Sequence, residues 1–377
     1  MVSVTLILRV INLIIAEDTL MYSLTNGAIA SFTAFALALI LMLIHRALAR
    51  YDPSLSLHRA SHTRPTSRLG GVAVSAAVIV ALTTAEISVK FDILICAVPI
   101  FLMGLSEDLH YHLKPKVRLM IASLSAVVFV LLEGSRIQSI GLPFIDGVFS
   151  ISIVSVLFTV FCFVALTNAI NFIDGINGFA SGKTLIVSGA ILALSMRYSE
   201  PGVVVLSAAI FTATLGLFML NYPYGRIFMG DAGAYTLGFL LAACLITLHY
   251  RHPEISPWAI ILVIFWPIAD MAHSILRRAM GGKNPQRADM MHMHHVVMRT
   301  LIVRSNGRMK RHVANPMATA IILPISAIPV ICGYVYRENN LMCLVLTFLF
   351  FIAFCVAHVA LVGKTKTRAH RTKEFTI

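Results

Sequence analysis

Val148-Phe-Ser-Ile-Ser-Ile-Val-Ser-Val-Leu-Phe-Thr-Val-Phe-Cys-Phe-Val-Ala-Leu-Thr167 runs for twenty residues without a charge, and Asn168-Ala-Ile-Asn171-Phe-Ile-Asp174-Gly175-Ile-Asn177-Gly178 follows it at once. An uncharged stretch of this length matches the roughly 20 residues that carry an α-helix across the hydrocarbon core of a bilayer. In a helix, Asn168, Asn171 and Asp174 step by three and stack along one side of the last turns, and Gly175 and Gly178 let the backbone bend away. A carboxylate, carboxamides and pliant backbone beside lipid suit a polar ligand.

The same pattern recurs along the chain. Hydrophobic residues make up 58% and charged residues 12%, and the mean hydropathy of +0.85 lies outside the range of soluble domains. Apolar stretches fall at 24–45, 70–86, 91–106, 117–133, 148–167, 184–199, 202–220, 231–249, 257–275, 314–334 and 341–363. The expected fold class is therefore an all-α polytopic integral membrane protein of about eleven transmembrane helices, forming a single domain over residues 1–377. Residues 1–22 carry Arg9, Glu17 and Asp18 and no small-residue cleavage site, so they read as an interfacial segment or a twelfth span rather than a signal peptide.

Eleven spans divide the loops between two sides, and the basic residues sort with them. Of the 30 Lys and Arg, 24 fall on one side, and only Arg9, Lys90, Arg136, Arg197, Arg251 and Arg337 fall on the other. The positive-inside rule assigns the rich side to the cytoplasm, including the long segment 276–313, the loop 168–183 with Lys183 and the basic tail 364–377. The net charge of +13 then reflects topology and attraction to anionic membrane lipid. No soluble stretch interleaves bases with aromatics, so nucleic acid is not an expected partner. The six cysteines lie singly in apolar stretches, as small hydrophobes without a disulfide framework.

Every polar cluster falls on the same side. In Ser61-His-Thr-Arg64-Pro-Thr-Ser-Arg68-Leu-Gly70-Gly71, two arginines offer forked donors suited to phosphate oxygens before a turn-forming Gly pair, although topology alone also accounts for bases there. Gly104-Leu-Ser-Glu107-Asp108-Leu-His110, followed by Lys114, Lys116 and Arg118, sets adjacent carboxylates at a span end. Such a pair binds a hard cation such as Mg²⁺, takes up a proton where one pKa is raised by the other, or caps the helix and pairs with the lysines. Acids at a helix C-terminus oppose the macrodipole, so the capping option needs compensation. In Asn221-Tyr-Pro-Tyr-Gly-Arg-Ile-Phe228-Met-Gly230-Asp231-Ala-Gly233, Asp231 is either an N-cap or a metal ligand, the latter with an exposed Phe228 as a stacking platform for a planar ring. The stretch 283–299 holds Arg287, Asp289, His292, His294 and His295. Its histidines lack a Cys or Glu to complete a tetrahedral set and sit among bases, so contact with a phosphate fits better than a transition metal.

Together and in this order, the clusters resemble the polyprenyl-phosphate N-acetylhexosamine-1-phosphate transferase family, from about residue 50 to 300 by motif and to the C-terminus by span pattern. Three motifs carry the resemblance: Asn-x-x-Asn-x-x-Asp-Gly-x-x-Gly at 168–178, Phe-Met-Gly-Asp-x-Gly at 228–233 and His-x-His-His at 292–295. The resemblance implies a multi-pass enzyme of the bacterial inner membrane with its active site on cytoplasmic loops. Such an enzyme transfers N-acetylhexosamine 1-phosphate, N-acetylglucosamine or a 6-deoxy relative, from a UDP-N-acetylhexosamine to undecaprenyl phosphate. UMP is released and a lipid-linked glycan such as O-antigen or capsule is begun.

Carried over residue by residue, the resemblance implies Mg²⁺, or Mn²⁺ in its place, on Asp231, Asp108 and Asn171, with Phe228 stacked on uracil. Catalysis falls to Glu107, Asp108, Asp174, Asp231, His292, His294 and His295. Substrate contacts fall to Arg64, Lys116, Arg118, Asn168, Asn171, Asn177, Asn221, Phe228 and Arg287, and a homodimer is compatible with the family. Glu107-Asp108 stands where much of the family has Asp-Asp, and Glu-Asp is the form of the branch serving O-antigen and capsule assembly. Asn177 and Met290 stand where relatives often have Asp and Arg.

Two rivals are weighed. A wall-synthesis enzyme that moves a muramoyl-pentapeptide phosphate carries a continuous histidine run, which Met293 interrupts here. A lipid or anion transporter places its polar residues near the midplane, often in repeated halves, whereas these gather at span ends.

Overall fold

The structure, a computed structural model, describes residues 66–83, 91–281 and 291–374, the last with side chains as far as Gly363, and a few positions between Ile29 and Leu43. Residues 1–22, most of the expected span 24–45, and Arg64, Arg287, Asp289 and Met290 lie outside the described residues, as do the side chains of the tail from residue 364. Among the described residues all regular structure is helical apart from one parallel β-bridge between Ser67 and Ile227. The helices are α1 (Gly70–Thr83), α2 (Phe91–Asp108), α3 (Pro115–Glu133), the single turn α4 (Pro143–Asp146), α5 (Ser152–Phe172), α6 (Phe179–Arg197) and α7 (Pro201–Asn221). They continue as α8 (Gly230–Arg251), α9 (Pro257–Val263), α10 (Phe265–Met280), α11 (Met293–Arg304), α12 (Arg311–Val335) and α13 (Asn340–Glu374).

Among the described residues, seven helices are long and apolar enough to cross a membrane: α3, α5, α6, α7, α8, α12 and α13 as far as Gly363. The pair α9–α10 makes an eighth if it is counted as one span, and the chain is an all-helical, multi-pass membrane protein. The sequence suggests eleven stretches; α1, with 14 residues, and α2, with Asp92, Glu107 and Asp108, are apolar helices that fall short in length or in composition. The stretch 257–275, expected as one span, is bent by 87° between Val263 and Phe265. Pro267 supplies the reason: it has no N–H for the Val263 carbonyl four residues back, and its ring would strike that oxygen in a continuous helix.

Helix α8 forms the axis, with every residue of its apolar window buried, against 28% for α3 and 17% for α13 at the lipid-facing rim. It packs mainly on α2 and α5, with α1, α6 and α7 around it. Lipid is as apolar as leucine, so shape fit rather than water exclusion holds such helices together. Phe129, Phe163 and Phe239, all fully buried, supply that fit where α3, α5 and α8 meet, with ring centroids 4.8 Å and 4.9 Å apart along the series.

Two polar segments differ from their sequence reading. The stretch 276–313, expected as a long loop, contains the end of α10 and all of α11, which packs on α12 and α13. Lys183, counted among the loop bases, lies inside α6 with no exposure, its Nζ donating to the Ser326 carbonyl at 2.8 Å.

Candidate active site

The site is built at the N-terminus of α8, where the ends of several helices meet. The first N–H groups of a helix have no partner within it and carry the positive end of its dipole. Here Asp108, the last residue of α2, satisfies two of them, accepting from Asp231 N at 2.9 Å and from Ala232 N at 2.8 Å on separate oxygens. Burial still pushes the Asp108 carboxyl up to about 6, against the pull of those N–H bonds. Gly230 makes the close approach feasible: its φ is +71°, and a Cβ there would strike the Arg68 carbonyl and the Asp108 carboxylate.

The loop before α8 is held to the entry of α1. Phe228 N donates to the Ser67 carbonyl at 2.9 Å, and Gly70 N donates to the Phe228 carbonyl at 2.9 Å. Phe228, expected to stand exposed, is only 9% exposed. The Ser67 backbone it pairs with lies 161 positions away in sequence, so the pairing is not visible from the motif.

Helix α5 ends at Phe172, so Asn168 and Asn171 lie on it while Asp174 lies beyond it, in the turn rather than on the last helical face. Asn171 Nδ2 donates to Asp231 Oδ1 at 3.2 Å. Asp174 accepts from the Gly230 backbone N–H; burial chiefly, and then the carboxylates of Asp231 and Asp108, push its carboxyl up to about 7 while Arg68 opposes them. Asn168 turns back along its own helix, Nδ2 donating to the Val164 carbonyl at 2.8 Å. Asn177 and Asn221 bond nearby backbone: Asn177 Nδ2 donates to the Pro223 carbonyl at 2.9 Å, and Asn221 accepts from Gly178 N and donates to the Ile227 carbonyl, both at 2.7 Å.

On the other side of this turn stand the histidines. Asp270 of α10, 1% exposed, accepts from Met293 N at 3.0 Å and lies 3.2 Å from His292 Nδ1, so it caps α11 and orients His292 at once. His294 is fully buried, and among the described residues neither ring nitrogen has a hydrogen-bond partner. A Cβ on Gly175 would strike His294 and His295, which measures how tightly this turn and α11 meet. Burial, then the neighbouring imidazoles, hold His294 well below the usual histidine range and His295 down to about 4, so both rings are neutral at pH 7.

Asp108, Asn171, Asp174, Asp231, His292, His294 and His295 thus form one continuous region. Glu107 flanks it: Oε1 accepts from Leu113 N at 2.7 Å and Oε2 lies 3.8 Å from Arg118, which also donates to Tyr235 Oη at 3.3 Å. Lys116 is exposed on the rim. The residue that sequence reasoning passed over is Asp270; an ionisable group inside an apolar stretch is the signal that could have found it.

The donor set suits a hard divalent cation. Crowded carboxylates whose pKa values rise through burial and mutual repulsion gain from a compensating charge, and oxygen ligands are those that Mg²⁺ takes. Among the described residues no three His, Cys, Asp or Glu stand ready as a metal cage.

Comparison with known proteins places this geometry in context. The model of glycosyl transferase family 4 matches residues 90–249. The chain is 27% identical over 245 residues, 64% of its length and 68% of the relative's, to a probable undecaprenyl-phosphate N-acetylglucosaminyl 1-phosphate transferase of Bacillus subtilis. It is 30% identical over 300 residues, 71% of its length and 74% of the relative's, to a decaprenyl-phosphate N-acetylglucosaminephosphotransferase of Mycobacterium leprae. It is 26% identical over 284 residues, 74% and 76% of the two lengths, to the undecaprenyl-phosphate alpha-N-acetylglucosaminyl 1-phosphate transferase of Escherichia coli K12.

Proposed function

The chain belongs to the polyprenyl-phosphate N-acetylhexosamine-1-phosphate transferase family, and from that premise we propose that it moves N-acetylhexosamine 1-phosphate from a UDP-sugar to undecaprenyl phosphate at the cytoplasmic face of a bacterial inner membrane. The observation that carries this reading is the convergence of Asp108, Asp174 and Asp231 with neutral His294 and His295 at one end of the bundle.

In the proposed reaction an oxygen of the lipid phosphate attacks the β-phosphorus of the donor. A new P–O bond forms, the bond between the β-phosphorus and the bridging oxygen breaks, and UMP leaves with that oxygen and its electron pair. A phosphate monoester is already largely ionised near neutral pH, so no strong base is required; catalysis rests on positioning and on stabilising charge. Mg²⁺, when bound, neutralises diphosphate charge as a Lewis acid, and Asp231 with Asp174 or Asn171 would hold it.

The remaining roles follow from the contacts. Asp108 fixes the first turn of α8 and so aims Asp231. Asp270 fixes the start of α11 and the ring of His292. The neutral histidines offer hydrogen bonds to sugar or diphosphate without adding charge, and exposed Arg68 supplies positive charge where a phosphate would arrive. N-acetylglucosamine is the first sugar to test, and a lipid-linked glycan such as O-antigen or capsule is the proposed product line.

The test incubates purified protein and Mg²⁺ with undecaprenyl phosphate and a panel of labelled UDP-N-acetylhexosamines. A lipid-linked sugar diphosphate with UMP release is expected for at least one donor. Folded protein that processes none of them would end the transferase reading for this chain.

A further inference from the structure

The turn that carries Asp174 is braced by a helix outside the matched segment 90–249. Both backbone polar atoms of Asn177 are taken by side chains of α12: Asn315 Oδ1 accepts its N–H at 2.7 Å, and Thr319 Oγ1 donates to its carbonyl at 2.7 Å. The next N–H, that of Gly178, goes to Asn221 of α7. Asn315 and Thr319 are 2% and 1% exposed, so neither serves solvent. Further along, the Ser326 backbone carbonyl accepts from the buried Lys183 of α6. Spacings of four and then seven residues put Asn315, Thr319 and Ser326 on one face of α12.

Polar side chains inside a membrane helix are costly unless satisfied. Asn315 and Thr319 direct their bonds at a single residue, three positions after Asp174 and two after Gly175, the residue packed on His294 and His295. The same helix also packs against α11, which carries those histidines. One element therefore touches both halves of the site. A helix–helix contact alone would be served by apolar side chains; bonding both backbone polar atoms of one residue in the turn fixes the two peptide units that flank it.

We infer that Asn315 and Thr319 are positioning residues, which hold the Asp174 turn in register with Asp231 on one side and with His294 on the other. The inference rests on the transferase reading for its kinetic consequence. Its structural content stands on the brace alone.

The experiment compares Thr319→Val, which keeps the shape and removes the donor, with Thr319→Ser, which keeps the donor, and adds Asn315→Leu. Full-length protein in lipid nanodiscs is followed by hydrogen–deuterium exchange at residues 174–178 and by steady-state kinetics. In Thr319→Val and Asn315→Leu, exchange should quicken and kcat should fall about 10- to 100-fold, the scale of a small misplacement at a reacting centre. KM for the donor should stay within about threefold, as for an interaction expressed in the transition state. Thr319→Ser should behave as wild type. Unchanged exchange in both variants overturns the brace, and quickened exchange with wild-type kcat overturns the positioning role. If the wild-type protein turns over no donor, the proposed function fails, and exchange still decides whether the brace exists.

Discussion

Replacing Asp108 by Asn tests what its carboxylate does, and the expected outcome separates stability from activity. In the folded protein the carboxyl titrates at about 6, raised from 3.8 first of all by burial. The folded state therefore holds the proton more tightly than the unfolded chain, and stability is lost as pH rises from about 4 to about 6. At 1.36 kcal/mol per pKa unit the full loss is about 3 kcal/mol above that window. Asn resembles the protonated acid in shape and charge. Asp108→Asn should therefore match the wild-type protein near pH 4 and exceed its stability by up to about 3 kcal/mol at pH 8, while turnover falls because the first turn of α8 is no longer held through both N–H groups. SDS-titrated unfolding in micelles, with EDTA present to remove divalent cations, reads the stabilities at both pH values. A variant less stable than wild type at pH 8 would refute the reasoning, since the charged bonds to Asp231 N and Ala232 N would then outweigh the cost of burial.

Three further substitutions probe the surroundings. Asp231→Asn should lose at least about 100-fold in turnover without loss of expression, and near-normal activity would remove Asp231 from the proposed cation site. Asp270→Asn keeps an acceptor for Met293 N but sets an amide against His292 Nδ1; kcat should drop about 100-fold, and an unchanged kcat would show that His292 needs no orientation. Gly230→Ala forces a side chain to φ +71° and into Asp108; a lower unfolding midpoint equivalent to about 1–3 kcal/mol is expected, and wild-type stability would show that the start of α8 has room to adjust.

Much of this architecture is legible in the chain because a helix in lipid must be apolar for its whole length, so 117–133, 148–167 and 231–249 announce themselves. The polar ends are legible for the complementary reason that charge is costly beside lipid: Asp174 and Asp231 stand out against their neighbours. What escaped depends on partners distant in sequence. The amides of Asn177 and Asn221 look like ligand groups in a motif, and they also bond the Pro223 and Ile227 carbonyls and Gly178 N, which the motif does not show. Asp270 owes its role to His292 and Met293, which follow it by 22 and 23 positions, and the Phe228 backbone pairs with Ser67. The break at Ile264 follows from Pro267, a local signal whose effect falls four residues upstream.

The central claim is that the sugar leaves its donor with a phosphate attached. Donor labelled with ³²P at the β-phosphate, incubated with undecaprenyl phosphate, Mg²⁺ and wild-type protein, reads this directly. The account predicts the label in the lipid fraction, matched by unlabelled UMP in the aqueous phase. Label retained on a released nucleotide diphosphate, with sugar alone on the lipid, would contradict it.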